Sequence, residues 1–304
     1  MNADVTVIIL TLNEELHIKR CIESLLLITQ NIIIVDSLST DATVEIAESL
    51  GIKIYQNPWP GNHARQFQWG LDNCLIETQW VMKMDADEYI LPELAGEINS
   101  KLNSLDDNIS GIFIKRQVYF MGRWIKHGGY YPVWLLRIWR YRDGKMEERW
   151  MDEHVKLSSG RTLRFDNDLV DDNRNDLTWW SNKHNHYATR EAVDILNMLY
   201  GFKNYDGITP SFFGTQEQRK RKIKHLYVRL PLFLRPFIYF IWRYFVRAGF
   251  LDGKQGLIWH FLQGFWYRFL VDSKLHEIYS KAGKNKQNIK AVLKSDYGVC
   301  FESD

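Results

Sequence analysis

The first hundred residues alternate between short apolar runs and longer segments with helical periodicity. Runs typical of buried strands lie at Val5–Leu10, Asn31–Asp36, Ile52–Tyr55 and Trp80–Met84. Helices are predicted over residues 15–27, 41–50 and about 62–76, and Pro92 is typical of the first position of another. A βαβαβαβ order with near-continuous apolar strands predicts an α/β fold, with a doubly wound, mostly parallel sheet and right-handed crossovers.

Polar residues follow three of these strands, at the edge where such sheets bind ligands. The three groups are Thr11–Glu14, Asp36-Ser37 and Asp85-Ala86-Asp87. Two carboxylates one residue apart are hard oxygen ligands, which suit Mg²⁺ or Mn²⁺ when substrate phosphates complete the shell. An Asp-x-Asp sequence alone is more often a solvated acidic turn, but its place after a buried fourth strand favours a metal site. Asp36 can accept a hydrogen bond from a base N–H, whereas Asp41 is better explained as a helix cap.

Composition and motifs argue against several other classes of protein. A net charge of +2 gives no reason to expect a nucleic-acid partner. Cys21, Cys74 and Cys300 have neither disulfide-framework nor zinc-ligand spacing, which fits a reducing compartment. No G-x-G-x-x-G follows the first strand, which argues against a dehydrogenase. The acidic, glycine-free loop Thr11–Glu14 argues against a nucleotidyltransferase.

Four motifs, in this order and spacing, resemble family 2 glycosyltransferases of the GT-A fold. They are Thr11-Leu-Asn-Glu14, Val35-Asp-Ser-Leu-Ser-Thr-Asp41, His63-Ala-Arg65 and Met84-Asp-Ala-Asp-Glu88. Leu38 departs from the pattern, because the family commonly has glycine there; we expect a changed local turn that keeps Asp36. The resemblance implies an inverting transfer from a UDP-sugar donor with Mg²⁺ or Mn²⁺.

The resemblance also implies roles for the matched positions. Asp36 would contact the uracil, Asp85 would lie near the ribose and metal, and Asp87 would ligate the metal. Arg65 would approach the base or diphosphate; the alternative is an ordinary surface helix residue, and its position favours binding. The predicted nucleotide-sugar site is Thr11, Asn13, Glu14, Asp36, Arg65, Asp85, Ala86 and Asp87.

The acceptor hydroxyl needs a general base, and the acidic segment Glu147–His154 is the best candidate for supplying it. It resembles the motif that carries the base in lipopolysaccharide and polysaccharide members of the family. Glu153 is our first choice and Asp152 the second, with the other orienting the loop. His184 or His186 could complete the metal shell or be structural. Trp124, Trp179 and Trp180 could stack on a sugar or pack in the core.

The last third of the chain is basic and aromatic. A basic run over residues 219–224 precedes two segments rich in Phe, Trp, Tyr, Leu and Ile, at 226–250 and 257–271. On a helix, one polar stripe would comprise Arg235, Tyr239, Arg243 and Arg247, and a second His260, Gln263, Gly264, Tyr267 and Arg268. These patterns predict a C-terminal amphipathic helical region in an anionic membrane interface, or a homo-oligomer contact, or both.

The sequence therefore predicts three parts: a nucleotide-sugar-binding half over residues 1–105, an acceptor-binding half over 106–215, and a helical extension over 216–304. We expect no secretory signal and no membrane span, hence a peripheral protein on the cytoplasmic face of the inner membrane. The predicted reaction moves a hexose or N-acetylhexosamine to a lipid-linked saccharide in bacterial polysaccharide or lipopolysaccharide biosynthesis. The alternatives are a membrane-bound, non-catalytic glycan-binding or scaffold protein of the same fold, and a metal-dependent nucleotidyltransferase.

Overall fold

The computed structural model describes residues 2–147, 155–202 and 216–301, with only the backbone of residues 216, 217, 220 and 221. The chain forms two compact units, Met1–Asn175 and Asp176–Asp304. Strands on both sides of residue 105 join one sheet, so the predicted line between the two halves of the GT-A domain is not a break between compact units. The assignment of the three predicted parts stays a prediction.

The first unit is built on one large sheet and a small two-stranded one. Its strands are β1 (Val5–Thr11), β2 (Ile32–Asp36), β3 (Lys53–Gln56), β4 (Trp80–Asp85), β5 (Glu88–Ile90), β6 (Ile109–Phe120), β7 (Arg123–Trp124), β8 (Val133–Arg140), β9 (Gly144–Met146), β10 (Val155–Leu157) and β11 (Arg161–Asp172). The large sheet has the order β3-β2-β1-β4-β8-β6-β11-β5, with β7 beside β6, while β9 and β10 pair separately. Strands β8 and β5 run antiparallel to their neighbours, and β1–β4, β6 and β11 run parallel. The predicted mostly parallel α/β sheet is confirmed.

Helices cover both faces of this sheet, which explains the continuous apolar strands. They are α1 (Ile18–Leu25), α2 (Thr43–Ser49), α3 (His63–Asn73) and α4 (Pro92–Lys101). In β1, Val7 and Ile9 pack in the core shared with α1, α2 and α4, whereas Ile8 packs with α3 on the other face. A Cβ at Gly70 would come within 2.9 Å of Val35, so glycine lets α3 approach β2 closely.

Several strands were not predicted from the sequence, and β5 and β11 are the two that bear on the site. β5 begins directly after Asp87, within a segment that resembled a turn. β11 is rich in charged residues, and its burial comes from its position between β6 and β5. Both depend on pairing with distant residues, which local periodicity does not report. They matter because β11 brings Asp172 to the same carboxyl edge as Asp85.

The second unit is helical. Its helices are α5 (Leu177–Tyr200), α6 (Gln216–Val228), α7 (Leu234–Ile241), α8 (Gly253–Trp259), α9 (Tyr267–Ala282) and α10 (Lys286–Tyr297), with π-helical turns at residues 242–246 and 260–266. Its own core includes Leu196, Val271 and Leu293. Among the residues that the structure describes, no helix combines the length and apolar character needed to cross a membrane.

Several residues of the polar stripes predicted for the C-terminal helices lie inside this unit, whereas Arg247 is exposed. Arg235 is 1% exposed and His260 is fully buried. Tyr267 is also buried. The acidic partner of Arg235 is Asp272 on α9, so this part of the polar repeat packs inside the unit. The predicted contact of these helices with a membrane interface stays a prediction.

Candidate functional site

Asp36 lies at the carboxyl end of β2 and joins two loops. Its side chain is fully buried. One carboxylate oxygen accepts hydrogen bonds from the hydroxyls of Thr11, at 2.8 Å, and Ser39; the other accepts the Ser39 backbone N–H at 2.8 Å. The carboxylate therefore fixes the loop after β2 against the end of β1, where the predicted nucleotide site begins.

The two loops are connected further by side-chain bonds to backbone groups. Asn13 accepts the N–H of Thr40 at 2.8 Å and donates its own backbone N–H to the Ser39 hydroxyl at 2.9 Å. The backbone N–H of Glu14 donates to the hydroxyl of Thr43, the first residue of α2, at 2.7 Å. Thr11, Asn13, Glu14 and Asp36, all predicted site residues, are therefore held together at one edge.

Leu38, the departure from the family pattern, has a left-handed backbone with φ of 66°. Glycine adopts this conformation without steric cost, whereas a leucine Cβ disfavours it. The leucine therefore keeps a glycine-type turn at this position, and its side chain is 49% exposed. Asp36 is retained, as expected.

The segment Asp85–Glu88 forms a tight turn between β4 and β5. The backbone N–H of Asp85 donates to the Glu88 carboxylate at 3.1 Å, which closes the turn. Arg137 on β8 donates to Glu88, and the same guanidinium lies 3.4 Å from the Asp85 carboxylate. Arg137 and Glu88 are both buried, so their pairing supports the turn from the interior of the protein. The Asp85 side chain stays 45% exposed.

Asp87 is tied to the end of β11. Its carboxylate accepts a hydrogen bond from the Asn173 amide at 3.0 Å, and its carbonyl accepts the Asp172 N–H at 3.1 Å. Arg20 on α1 donates to the carboxylate and carbonyl of Asp172 and to the Asp87 carbonyl. The guanidinium also lies 4.5 Å from the centre of the Tyr89 ring. Arg20 therefore holds the Asp-x-Asp turn against β11.

His17 connects the Thr11–Glu14 loop to the same region. Its Nε2 accepts the backbone N–H of Arg174 at 2.9 Å, so its Nδ1 carries the proton and donates to the Glu14 carboxylate at 2.7 Å. The imidazole is 1% exposed. Sequence reasoning missed His17, Arg20 and Arg137. The available signal was weak: His17 and Arg20 lie within two turns after a polar loop at a strand end.

The chemistry of the Asp-x-Asp turn fits a divalent cation. Burial alone would raise the pKa of Asp85, but the positive charges of Arg137 and Lys83 outweigh it and hold the pKa below its ordinary value. Asp85 is therefore ionised at neutral pH, as a metal ligand must be. Among the described residues, no three His, Cys, Asp or Glu side chains are grouped closely enough to hold a metal. Mg²⁺ commonly takes one or two protein carboxylates and completes its shell with water and substrate phosphates, which two aspartates satisfy.

Arg65 lies near the start of α3 with an exposed side chain. It lines a cavity of about 250 Å³ together with Gln68, Trp69, Asp72 and Met146 among others. Its backbone N–H is capped by Asn62 at 3.2 Å, which fixes the first turn of the helix. Its predicted contact with the base or diphosphate stays a prediction.

His184 and His186, the other predicted metal ligands, lie on α5 of the second unit. Asp152 and Glu153, the candidate bases, fall outside the described residues. His184 stacks on Trp180 with ring centres 3.5 Å apart, and its Nδ1 is 2.9 Å from the Trp180 carbonyl. Burial lowers the pKa of His184 to about 4. His186 is exposed on the same helix. Their role as metal ligands stays a prediction, while Trp180 packs in the second unit.

A polar and aromatic cluster that sequence reasoning did not identify lies on β6 and β11. The Asp168 carboxylate accepts hydrogen bonds from Gln117 at 2.8 Å and Tyr131 at 2.9 Å, and Lys115 lies 3.2 Å away. The Trp124 ring packs edge-on against Tyr131, with centres 5.0 Å apart. Aromatic faces beside polar groups suit saccharide contacts, so Trp124 remains a candidate for sugar stacking.

Comparisons with known proteins give two informative relatives. An uncharacterized glycosyltransferase of Rickettsia typhi is 27% identical over 293 residues, which cover 91% of this chain and 88% of that protein. The lipopolysaccharide core biosynthesis glycosyltransferase LpsC of Rhizobium meliloti is 36% identical over 119 residues, 38% of this chain and 42% of that protein. This second match therefore spans less than half of either protein.

Solved structures are similar at lower identity. Staphylococcus aureus TarS, residues 1–349, in complex with UDP has a TM-score of 0.44 and 16% identity, covering 94% of this chain and 93% of that one. Glucosyl-3-phosphoglycerate synthase from Mycobacterium tuberculosis, in complex with Mn²⁺, UDP and glucosyl-3-phosphoglycerate, has a TM-score of 0.31 and 20% identity. That match covers 38% of this chain and 44% of that one.

A protein-family model matches most of the first unit of the chain. The profile named Glycosyl transferase family 2 matches residues 6–168, more than half of the chain. The matched stretch runs from β1 into β11 and contains the two loops, the Asp-x-Asp turn and Arg137. The mostly parallel α/β sheet agrees with the GT-A fold implied by the motifs. The chain belongs to glycosyltransferase family 2.

Proposed function

We propose that this protein is an inverting, divalent-metal-dependent glycosyltransferase that takes a hexose or N-acetylhexosamine from a UDP-sugar. The observation that carries the proposal is the common edge of Asp36, Asp85 and Asp87 in a family 2 chain. Ligands of parallel α/β sheets bind at this edge. The buried carboxylate of Asp36 offers a contact for the nucleoside. The carboxylates of Asp85 and Asp87 offer a cation site at the same edge, within one donor-binding region.

Each residue of the edge has a proposed task. Asp36 and the loop that it fixes would contact the uracil, and Asp85 would lie near the ribose. Asp85 and Asp87 would hold Mg²⁺ or Mn²⁺. When bound, the cation would neutralise the charge that develops on the leaving diphosphate. Arg65 would approach the base or diphosphate from α3.

The acceptor side of the reaction needs a base on the face opposite the leaving group. We assign that task to Glu153, with Asp152 as the second choice. A carboxylate there would accept the proton of the acceptor hydroxyl as it attacks the anomeric carbon, so one displacement inverts the configuration. Glu153→Gln should therefore abolish transfer while leaving donor binding intact.

The proposed acceptor is a lipid-linked saccharide of bacterial lipopolysaccharide or surface polysaccharide. The match to LpsC, named for lipopolysaccharide core biosynthesis, supports this choice over its aligned 119 residues. We further propose that the protein is peripheral on the cytoplasmic face of the inner membrane, where such an acceptor is displayed. The basic and aromatic character of residues 219–271 supports an anionic membrane partner.

The metal assignment is tested with Asp87→Asn. UDP release from a panel of UDP-hexoses and UDP-N-acetylhexosamines is measured with and without Mn²⁺. We expect the substitution to lower Mn²⁺-dependent UDP release by about 100-fold or more, because charge stabilisation of the leaving group is lost. Asp107→Asn is the matched control, since that side chain is fully exposed. Equal rates for Asp87→Asn and the control would refute the metal assignment.

The non-catalytic alternative predicts a different outcome from the same panel. A glycan-binding or scaffold protein would release no UDP from any donor, with or without Mn²⁺. It would still bind a saccharide acceptor, which calorimetry would detect. Release of UDP that Asp87→Asn removes would therefore reject the alternative.

A further inference from the structure

A continuous apolar stripe on α7 and the turn after it faces outward. Seven large side chains in residues 234–246 each expose between 46% and 60% of their surface: Leu234, Phe237, Ile238, Ile241, Trp242, Phe245 and Val246. Their spacings of three and four residues put them on one helical face. Single half-exposed apolar residues are ordinary, but a continuous stripe of this kind marks an interaction surface.

The opposite face of α7 is polar and points into the second unit. Arg235 donates to the Asp272 carboxylate, with Nε at 2.8 Å, and to the Val228 carbonyl at 3.0 Å. Arg235 and Asp272 are each 1% exposed. About two turns further on, Arg243 donates to the hydroxyl of Tyr239. Since an unpaired buried charge is strongly unfavourable, the Arg235–Asp272 pair fixes the rotation of α7 and keeps the apolar stripe outside.

Neighbouring residues extend the same apolar surface. The rings of Phe237 and Phe265 have centres 4.5 Å apart, which joins α7 to the π-helical turn at 260–266. On that turn Phe261 is 46% exposed, and its ring centre lies 5.5 Å from that of Phe265. The surface therefore spans two packed helical segments. We call the seven exposed apolar side chains of residues 234–246, together with Phe261, the apolar face.

The exposed charges next to the apolar face along the chain are of one sign. Arg229, Arg247 and Lys254 have exposed side chains and lie close to it along the chain. Asp252 is the only acidic residue between positions 218 and 271, and it is 3% exposed. An apolar surface with exposed cations and no exposed carboxylate complements a layer of anionic headgroups above an acyl region.

We infer that the apolar face inserts into an anionic lipid surface, with Arg229, Arg247 and Lys254 against the lipid phosphates. This rests on the membrane part of the proposed function and identifies the atoms that make the contact. A second copy of the chain fits less well. In a two-fold contact each patch meets itself, so cations would face cations without carboxylates to pair with.

The experiment measures sedimentation of the full chain with vesicles of phosphatidylcholine alone and of phosphatidylcholine mixed with phosphatidylglycerol. We expect binding to the mixed vesicles, and Phe245→Ser/Val246→Ser should weaken it by about tenfold or more, because two inserted side chains are lost. The matched control is Leu27→Ser/Leu75→Ser, which removes two half-exposed leucines of the first unit. The control should bind as the unaltered chain does.

The charge contribution is tested separately with Arg247→Gln/Lys254→Gln. Binding to the mixed vesicles should fall severalfold and become less dependent on salt. Binding to phosphatidylcholine alone should not change. Equal loss for the Phe245→Ser/Val246→Ser variant and the leucine control would overturn the inference. So would a concentration-dependent dimer in light scattering that this variant dissociates while vesicle binding is unchanged.

Donor chemistry is measured in the same proteins, so that the two proposals can fail separately. UDP release without vesicles should be equal in Phe245→Ser/Val246→Ser and the unaltered chain, since neither residue belongs to the donor site. A chain that binds mixed vesicles but releases no UDP would contradict the transferase proposal and keep the lipid contact. A chain that releases UDP but binds neither vesicle type would contradict the lipid contact and keep the transferase proposal.

Discussion

At the scale of single residues, Leu38 carries a cost that glycine would remove. Its φ of 66° is disfavoured for a side chain with a Cβ. We expect Leu38→Gly to raise the free energy of unfolding by about 0.5–1 kcal/mol, the relief of strain less the entropy that glycine adds to the unfolded chain. Urea unfolding measures this. Leu38→Ala keeps the Cβ and should show no such gain. Equal gains for the two variants would mean that the strain does not come from the Cβ at this positive φ.

Arg137 is a second residue whose loss should be measurable. Arg137→Met leaves the Glu88 carboxyl buried without its cation. Burial already raises the pKa of Glu88 to about 8, so the carboxyl takes up a proton when Arg137 is lost, and we expect a loss of about 1–3 kcal/mol in unfolding free energy. The double variant Glu88→Gln/Arg137→Met removes the ionisable group and should be less destabilised than Arg137→Met alone. Additive losses in this double-mutant cycle would show that the pair is not coupled.

The place of a residue in the fold was predicted correctly where a strand end identified it, while its role in donor binding stays a prediction. Thr11, Asp36 and Asp85 each end a strand that local hydrophobicity reveals, so their common edge follows from topology. Arg20 and Arg137 were not foreseen because their partners are remote. Arg20 bonds Asp172, which is 152 residues away, and no local pattern reports such a contact.

At the scale of elements, β11 shows how a charged strand is accommodated in a sheet. Its pairing with β6 skips between Arg164 and Asp168, which leaves backbone groups without partners from β6. Glu97 on α4 accepts the backbone N–H groups of Asp166 and Asn167 at 3.0–3.1 Å. The Glu97 side chain thus supplies the hydrogen-bond partners that the backbone lacks at the bulge. This contact explains why such polar residues can form a strand, and why sequence periodicity did not predict β11.

The pH dependence of stability should report the Glu97 contact. Burial alone would raise the pKa of Glu97, but hydrogen bonds from Lys101, Asp166 and Asn167 outweigh it and hold the pKa below its ordinary value. The stabilisation is therefore present above the unfolded pKa of about 4.3 and is lost as pH falls below it. Glu97→Gln should cost about 1–3 kcal/mol at neutral pH, and its difference from the unaltered chain should shrink in acid.

Thermal unfolding between neutral pH and about pH 3 measures that difference over the relevant range. Glu48→Gln is the control, because Glu48 is exposed on α2. The control should follow the unaltered chain at every pH. A constant deficit for Glu97→Gln across the range would mean that the carboxylate charge contributes nothing to the bulge.

At the scale of the whole molecule, the chain has two cores, and damage to one should stay local. Asp272→Asn weakens the buried pairing of Arg235 and should destabilise the second unit by about 3–5 kcal/mol. Hydrogen exchange followed by mass spectrometry should show faster exchange in peptides from residues 226–282. Peptides from residues 5–120 should be unchanged. Equal acceleration in both sets would mean that the two cores unfold together.

The division into units was harder to predict than the sheet. The predicted nucleotide-sugar-binding half ends at residue 105, and β6, β8 and β11 beyond it complete the sheet that β1–β4 begin. Similarly, the repeat of Arg235, Tyr239 and Arg243 indicated a polar face without indicating which side it occupies. Only the acidic partner on α9 determines that, and it lies 37 residues from Arg235.

The contacts at the end of β11 limit where this chain can be truncated. The family profile stops at residue 168, but Asp172, Asn173 and Arg174 follow it. These three are the partners of Arg20, Asp87 and His17. A fragment limited to the matched residues would keep all four motifs and still lose the partners that anchor Arg20, Asp87 and His17. Truncations of this enzyme should therefore be drawn beyond Asn175, where the compact body ends.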